Sequence, residues 1–218
     1  MSYQIAIDGP AGAGKSTIAK LVAKEKEFIY VDTGAMYRAM AYYLFSNHID
    51  PKNEALVAEK CMGADITIQY EEGEQVVLLN GKNVNAHLRT EEVGNMASFT
   101  SKNPKVRERL TSLQKELAAR NNVVMDGRDI GTCVLPKADV KVYLTASAKV
   151  RAKRRFDELA AKGETCDIQK IEEDIIKRDE QDMNREIAPL KQAEDAVLID
   201  SSLMTIEEVV KKILSLCR

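Results

Sequence analysis

The chain is short of several things at once. It has no Trp, 7 Tyr and 4 Phe, and only two histidines, His48 and His87. Its four cysteines, Cys61, Cys133, Cys166 and Cys217, form no C-x-x-C pair. Isolated thiols with so few histidines exclude a zinc cluster and a disulfide framework, and fit a reduced, cytoplasmic compartment. The most apolar segment, Ala35–Phe45, is broken by Arg38. It falls short of the roughly 18 apolar residues that span a bilayer, so no membrane partner is expected. The first residues carry no basic stretch ahead of an apolar core, so no secretory leader is expected either. Charge of one sign is missing as well. Lys and Arg total 32 against 34 for Asp and Glu, a formal charge of −2, which argues against adhesion to nucleic acid through bulk positive charge. There is no internal repeat.

What is present is an alternation of short apolar runs and helical patterns. Tyr3–Asp8, Phe28–Val31, Val123–Met125, Val140–Leu144 and Ala196–Ile199 are apolar and end near polar residues. Helical periodicity follows at 16–26, from Asp32 to Asn47, and at 90–101 and 105–120, the last two parted by Pro104. Continuous apolar runs between helices predict strands buried on both faces of a parallel sheet. The fold expected is α/β, doubly wound, with five parallel strands. Residues 64–70 and 75–79 instead alternate apolar and polar, with Glu71-Glu-Gly73 and Asn80-Gly81 as turns. That pattern predicts a small antiparallel insertion with one wet face. Between Ser147 and Lys191 lie eleven basic and eleven acidic residues in two helical patterns parted by Lys162-Gly-Glu-Thr165. On charge alone this is a solvated helical hairpin.

The strongest chemical motif is Gly9-Pro-Ala-Gly-Ala-Gly-Lys15-Ser16, after a strand and before a helix. Glycines let the backbone curl so that successive N–H groups face phosphate oxygens, and the helix N-terminus adds its positive dipole end. Lys15 is placed to bridge β- and γ-phosphates, and the Ser16 hydroxyl suits Mg²⁺. A chance match in a chain of this length is on the order of one in a hundred. A triphosphate-binding loop serves switches and kinases alike. A guanine-reading N-K-x-D segment is missing, since no Asn-Lys dipeptide occurs, and this disfavours the switch.

Arginines stand where strands end. Arg38 lies six residues beyond Asp32, and Arg128 follows Asp126-Gly127. Ligands of open α/β sheets bind outside the carboxyl ends of strands, so both are candidate clamps for a second phosphate-bearing substrate. Asp126 is placed as a carboxylate that orders magnesium-bound water or as a structural acid. Arg178, Asp182 and Arg185 share one face if the helix continues through them, as an ion-pair ladder or as part of a site. Lys149, Arg151, Lys153, Arg154 and Arg155 put five cations in seven residues with no carboxylate among them. Such crowding fits a lid that closes on a triphosphate. It also leaves open a nucleic-acid surface, though one without interleaved stacking aromatics.

Taken together, Gly9–Ser16, Asp32-Thr-Gly-Ala-Met-Tyr-Arg38, Met125-Asp-Gly-Arg-Asp-Ile-Gly-Thr132 and Arg178-Asp-x-x-Asp-x-Asn-Arg185 followed by Ala188-Pro-Leu190 resemble the bacterial cytidylate kinases. The resemblance covers nearly the whole chain. It implies a single P-loop nucleoside monophosphate kinase domain over 1–218, with a monophosphate-binding insertion near 63–100 and a lid near 149–168. The implied reaction moves the γ-phosphoryl group of ATP to CMP or dCMP, giving the diphosphate and ADP, with Mg²⁺. Carried over by motif, Gly9, Pro10, Ala11, Gly12, Ala13, Gly14, Lys15, Ser16 and Thr17 hold ATP, with Arg151 and Arg155 from the lid. Arg38, Arg128 and Arg185 hold the CMP phosphate. Thr33, Arg178 and Asp182 meet the sugar, and Ser98, Arg107 and Asp129 read the base. Lys15, Arg128 and Arg185 are the implied catalytic cations, and a monomer is expected.

The base assignment also makes chemical sense. Cytosine offers an N4 amino donor beside acceptors at N3 and O2, so a reader needs an acceptor such as Asp129 and a donor such as Arg107. Uracil reverses that pattern at two positions, so CMP should be preferred to UMP. A P-loop kinase for another monophosphate, or for a metabolite such as shikimate, is the nearest alternative. With a metabolite acceptor, three arginines aimed at an acceptor phosphate would lack a purpose.

Overall fold

A computed structural model describes residues 2–217 as two compact units, 2–30 with 121–217 and 31–120. The first unit holds most of a five-stranded sheet. Its strands are β1 (Gln4–Asp8), β2 (Ile29–Asp32, of which Ile29 and Tyr30 belong to this unit), β6 (Val123–Gly127), β7 (Val140–Thr145) and β8 (Val197–Asp200). The spatial order is β2-β6-β1-β7-β8. Strand β1 runs parallel to both β6 and β7, and β7 parallel to β8. In this register Asp8 lies beside Gly127 on one side and Tyr143 on the other. The chain therefore leaves β1 at the point where the winding reverses, the place where open α/β sheets bind ligands.

Helix α1 (Lys15–Lys26) buries Ile18, Ala19, Val22 and Ala23, a stripe at helical spacing. Helix α8 (Ile206–Leu216) opens on a capping box between Thr205 and Glu208 and buries Val209, Val210 and Ile213. These two faces close over Ile5, Ile7, Val124, Val142, Leu144 and Ile199 to form one core. Helices α6 (Ala148–Ala161) and α7 (Ile168–Met183) make the expected hairpin, started by the side chains of Ser147 and Asp167. Two expectations need correction. Strand β8 is not buried on both faces, because it is an edge strand: Val197 is 37% and Leu198 52% exposed. Helix α7 stops at Met183 with Asn184 as its cap, so Arg185 lies beyond the helix rather than on its face.

The second unit begins within β2 and continues into α2 (Thr33–Ser46). The Asp32 carboxylate caps this helix by accepting the Ala35 N–H at 2.8 Å. Helix α3 (Glu54–Lys60) is a short element that the apolar patterning did not announce. The alternating segment is a three-stranded antiparallel sheet, β3 (Ile66–Glu71), β4 (Glu74–Leu79) and β5 (Lys82–Asn83). Both its turns carry two consecutive residues at positive φ, Glu72-Gly73 and Asn80-Gly81, the geometry that matches the twist of a tight hairpin. Helices α4 (Glu91–Thr100) and α5 (Pro104–Arg120) complete the unit, α5 with Pro at its first position, where no N–H is missed. Among the described residues no helix is long and apolar enough to cross a membrane.

Candidate active site

Between β1 and α1 the loop Gly9–Gly14 turns on three glycines at positive φ: Gly9 (152°), Gly12 (75°) and Gly14 (88°). A Cβ on Gly9 would lie 1.9 Å from the Leu144 carbonyl oxygen, so only glycine lets the loop leave the sheet here. A Cβ on Gly12 would meet Arg151 Cβ at 3.5 Å, which places the loop against the start of α6. Lys15 is buried and its Nζ donates to the Pro10 carbonyl at 2.7 Å, curling back over its own loop. Burial, and then the charge of Arg128, bring its ammonium down to about 7, against the pull of Asp126, Asp8 and Asp182. Ser16 Oγ donates to Asp126 Oδ2 at 3.0 Å, and the buried Tyr30 hydroxyl donates to Asp126 Oδ1 at 3.0 Å. Thr17, next along the helix, is exposed.

The second group in this unit is cationic. Arg128 leaves the end of β6 and its Nε donates to Asp182 Oδ2 at 2.9 Å. Arg185 Nη1 stands 3.9 Å from Asp182 Oδ1, with a side chain only 7% exposed. Burial works against the charge of Asp182, but Arg128, Arg185 and the exposed Arg178 outweigh it and hold its carboxyl below the usual range. Asp129 is buried, one residue before a π-helical turn over Ile130–Val134. The structure therefore brings Lys15, Ser16, Asp126, Arg128, Asp182 and Arg185 into one charged neighbourhood.

The five clustered cations of α6 are less naked than their sequence implies. Arg151 is buried and its guanidinium donates to Ala146 O at 2.8 Å, to Ala11 O of the loop at 3.0 Å and to Asp179 Oδ2 at 2.5 Å. Lys153 pairs with Asp157, Arg155 with Glu158 at 3.0 Å, and Arg154 donates to the Ser201 carbonyl at 2.8 Å. Arg155 is exposed although it shares a helical face with Arg151.

In the second unit Thr33 is buried at the start of α2, and Arg38 sits one turn on. A Cβ on Gly34 would come within 3.1 Å of Asp32 Oδ1 and 3.6 Å of Arg38 Nη2, so these side chains crowd over a bare backbone. Arg107 is buried, donates to the Ser101 carbonyl at 3.3 Å and lies over the Tyr37 ring at 5.6 Å. Ser98, on α4, is half-buried.

Sequence reasoning passed over Asp8, Tyr30 and Asp179. Asp8 carried a signal as the one charge in an apolar strand, and Asp179 as the unassigned acid inside the Arg178–Arg185 motif. Tyr30 carried none, since a tyrosine in a strand reads as core.

A sheet of order β2-β6-β1-β7-β8 with a glycine loop, Lys15 and Ser16 at the end of its central strand defines a P-loop nucleotide kinase. The cytidylate kinase family model matches residues 5–218. A cytidylate kinase of Caldicellulosiruptor bescii is 51% identical over 212 residues, 97% of this chain and 94% of that one. One from Bacillus licheniformis is 49% identical over 214 residues, again 97% and 94%. The chain belongs to the cytidylate kinase family. A crystal structure of shikimate kinase from Bacteroides thetaiotaomicron superimposes with a TM-score of 0.51 at 16% identity over 98% of this chain and 97% of that one, a likeness of fold alone.

Proposed function

We propose that this chain transfers the γ-phosphoryl group of ATP to CMP or dCMP, yielding ADP and the cytidine diphosphate. The observation that carries this reading is the Arg128–Asp182–Arg185 cluster in the charged neighbourhood of Lys15: one polyanion fits the loop and a second fits the arginines. Membership of the cytidylate kinase family supports cytidine as the acceptor base.

The attacking group is an acceptor phosphate oxygen that is already anionic, so no strong general base is needed. Catalysis is positioning plus stabilisation of charge on the moving phosphoryl group. Backbone N–H groups of the loop from Gly9 to Thr17, Pro10 excepted, hold the donor phosphates. Lys15 exchanges its bond to Pro10 O for a phosphate oxygen, and an anion there offsets the burial that now works against its charge. Arg128 and Arg185 take the acceptor phosphate, the role that the family motif also implies for Arg38. Arg178, Asp182 and Thr33 meet the sugar, and Ser98, Arg107 and Asp129 read the base.

The oxygen pair formed by Ser16 Oγ and Asp126 fits a hard cation such as Mg²⁺. Ser16 would hold the ion directly, with Asp126 ordering its water, and the ion would draw negative charge from the donor phosphates. Arg151 and Arg155 of the lid near 149–168 shelter the donor phosphates from water.

A panel of CMP, dCMP, UMP and AMP with ATP and Mg²⁺, read as ADP formation, tests the reading. Turnover of CMP and dCMP with UMP at least about tenfold lower in kcat/KM is expected, since a mismatched polar reader is costly. Equal use of UMP, or turnover of AMP alone, contradicts it.

A further inference from the structure

Asp8 closes β1 and stands outside both the phosphate-loop pattern and the arginine motifs. Its side chain reaches across to the strand neighbour rather than into the loop. Oδ1 accepts the Ile130 N–H at 2.8 Å and Oδ2 accepts the Gly131 N–H at 2.7 Å. Those two amides open the π-helical turn directly after Arg128 and Asp129. The first amides of a helical turn need acceptors, and the residue at the cap position, Asp129, supplies none from its side chain. A carboxylate from another strand takes that place. Gly131 is shaped to the contact, since a Cβ there would lie 3.2 Å from Lys141 Cδ and 3.4 Å from Asp8 Oδ2.

We propose that Asp8 is a positioning residue for the acceptor nucleotide: by gripping the amides of Ile130 and Gly131 it fixes the segment from which Arg128 and Asp129 meet CMP. The inference deepens the functional reading above and rests on it. Stability alone does not account for Asp8, because the carboxylate is 5% exposed and its burial pushes it up to about 6 even with both amides opposing the shift. The charged groups facing it are Asp129, which adds to the rise, and Lys15, which reduces it. The anion is thus held at a cost, for what it organises.

Asp8→Asn tests this. Asparagine keeps one acceptor and turns a donor toward an amide that needs an acceptor. The expected result is a rise of about tenfold or more in KM for CMP, with ATP affinity within about threefold of the parent. Faster amide exchange at Ile130 and Gly131 should accompany it, with the melting temperature at pH 7.5 largely retained. Should that variant not fold, Gly131→Ala presses on the same contact from the other side and should give the same selective loss. Equal losses for ATP and CMP, or faster exchange with KM for CMP unmoved, overturn the inference. A parent protein that does not phosphorylate CMP removes the functional reading instead, and the exchange rates still report whether Asp8 holds the turn.

Discussion

Arg128 is the side chain on which the proposed acceptor site turns. It ends β6, pairs with Asp182 and lowers the Lys15 ammonium by its charge. Its replacement should therefore act on the acceptor and spare the donor. Arg128→Ala is expected to lower kcat/KM for CMP about 10²-fold, the scale of a lost charge-assisted contact to phosphate, with ATP affinity almost unchanged. Steady-state kinetics with each nucleotide varied in turn decides it, and an equal loss for both nucleotides would remove the clamp role. Asp8 makes a different prediction, about pH. Its carboxyl is raised to about 6 in the folded chain, against 3.8 for an aspartate side chain free in water. Between those values the native state keeps a proton that the unfolded chain has released, so stability falls as pH rises through that window. The loss attributable to Asp8 is at most about 3 kcal/mol and is complete above about pH 6. Urea unfolding of the parent and of Asp8→Asn at pH 4 and pH 7 isolates it: relative to the variant, the parent should lose stability toward pH 7. A constant difference contradicts the assignment.

At the scale of elements, the helical hairpin α6–α7 is tied to the phosphate loop by one buried cation. Arg151 holds Ala11 O and is itself held by Asp179. Asp179→Ala leaves that guanidinium buried without its counter-ion and should cost about 3–5 kcal/mol in denaturant unfolding. Replacing both partners with apolar residues of similar volume should recover most of the loss. Recovery of none would mean that the pair is not the tie. Gly9→Ala is the harsher change, since its Cβ would drive into the Leu144 carbonyl. No ATP turnover is expected from it, and wild-type turnover would show that the loop can leave the sheet by another path.

These elements also show what the sequence could reveal. Strands β1, β6 and β7 are legible because burial on both faces leaves largely apolar runs, even with Lys141 inside β7, and the hairpin sheet because one wet face leaves alternation. Strand β8 looked like its neighbours, since four apolar residues read alike at an edge and in a centre. The π-helical turn at Ile130–Val134 was invisible, because what caps it is a carboxylate more than a hundred residues away. The spacing of Arg185 fits a helix, while the cap at Asn184 ends α7 first. Four of the five cations of α6, Arg151, Lys153, Arg154 and Arg155, read as unpaired because their partners Asp179, Asp157, Ser201 and Glu158 follow them in the chain and meet them only once it is folded.

For the whole molecule, the residues proposed for the chemistry are divided between the two compact units. The first holds the phosphate loop, the carboxylate that receives Ser16, and the Arg128–Asp182–Arg185 cluster. The second holds Thr33, Arg38, Ser98 and Arg107, where Arg107 is fixed by Ser101 and Tyr37. The glycine loop identifies nucleotide chemistry by itself. The acceptor is legible only from the arginine motifs and the family they belong to, because a guanidinium grips any phosphate and the base is read by polar groups whose roles spacing does not disclose.

The central claim is that donor and acceptor phosphates meet between Lys15 and the arginine cluster. Binding of a bisubstrate compound, adenosine and cytidine joined through a polyphosphate, tests it most directly by calorimetry. The account predicts binding much tighter than that of ATP or CMP alone, displacement by either nucleotide, and loss of the added affinity in both Lys15→Ala and Arg128→Ala. Binding no tighter than ATP, indifferent to CMP and to Arg128→Ala, would contradict it.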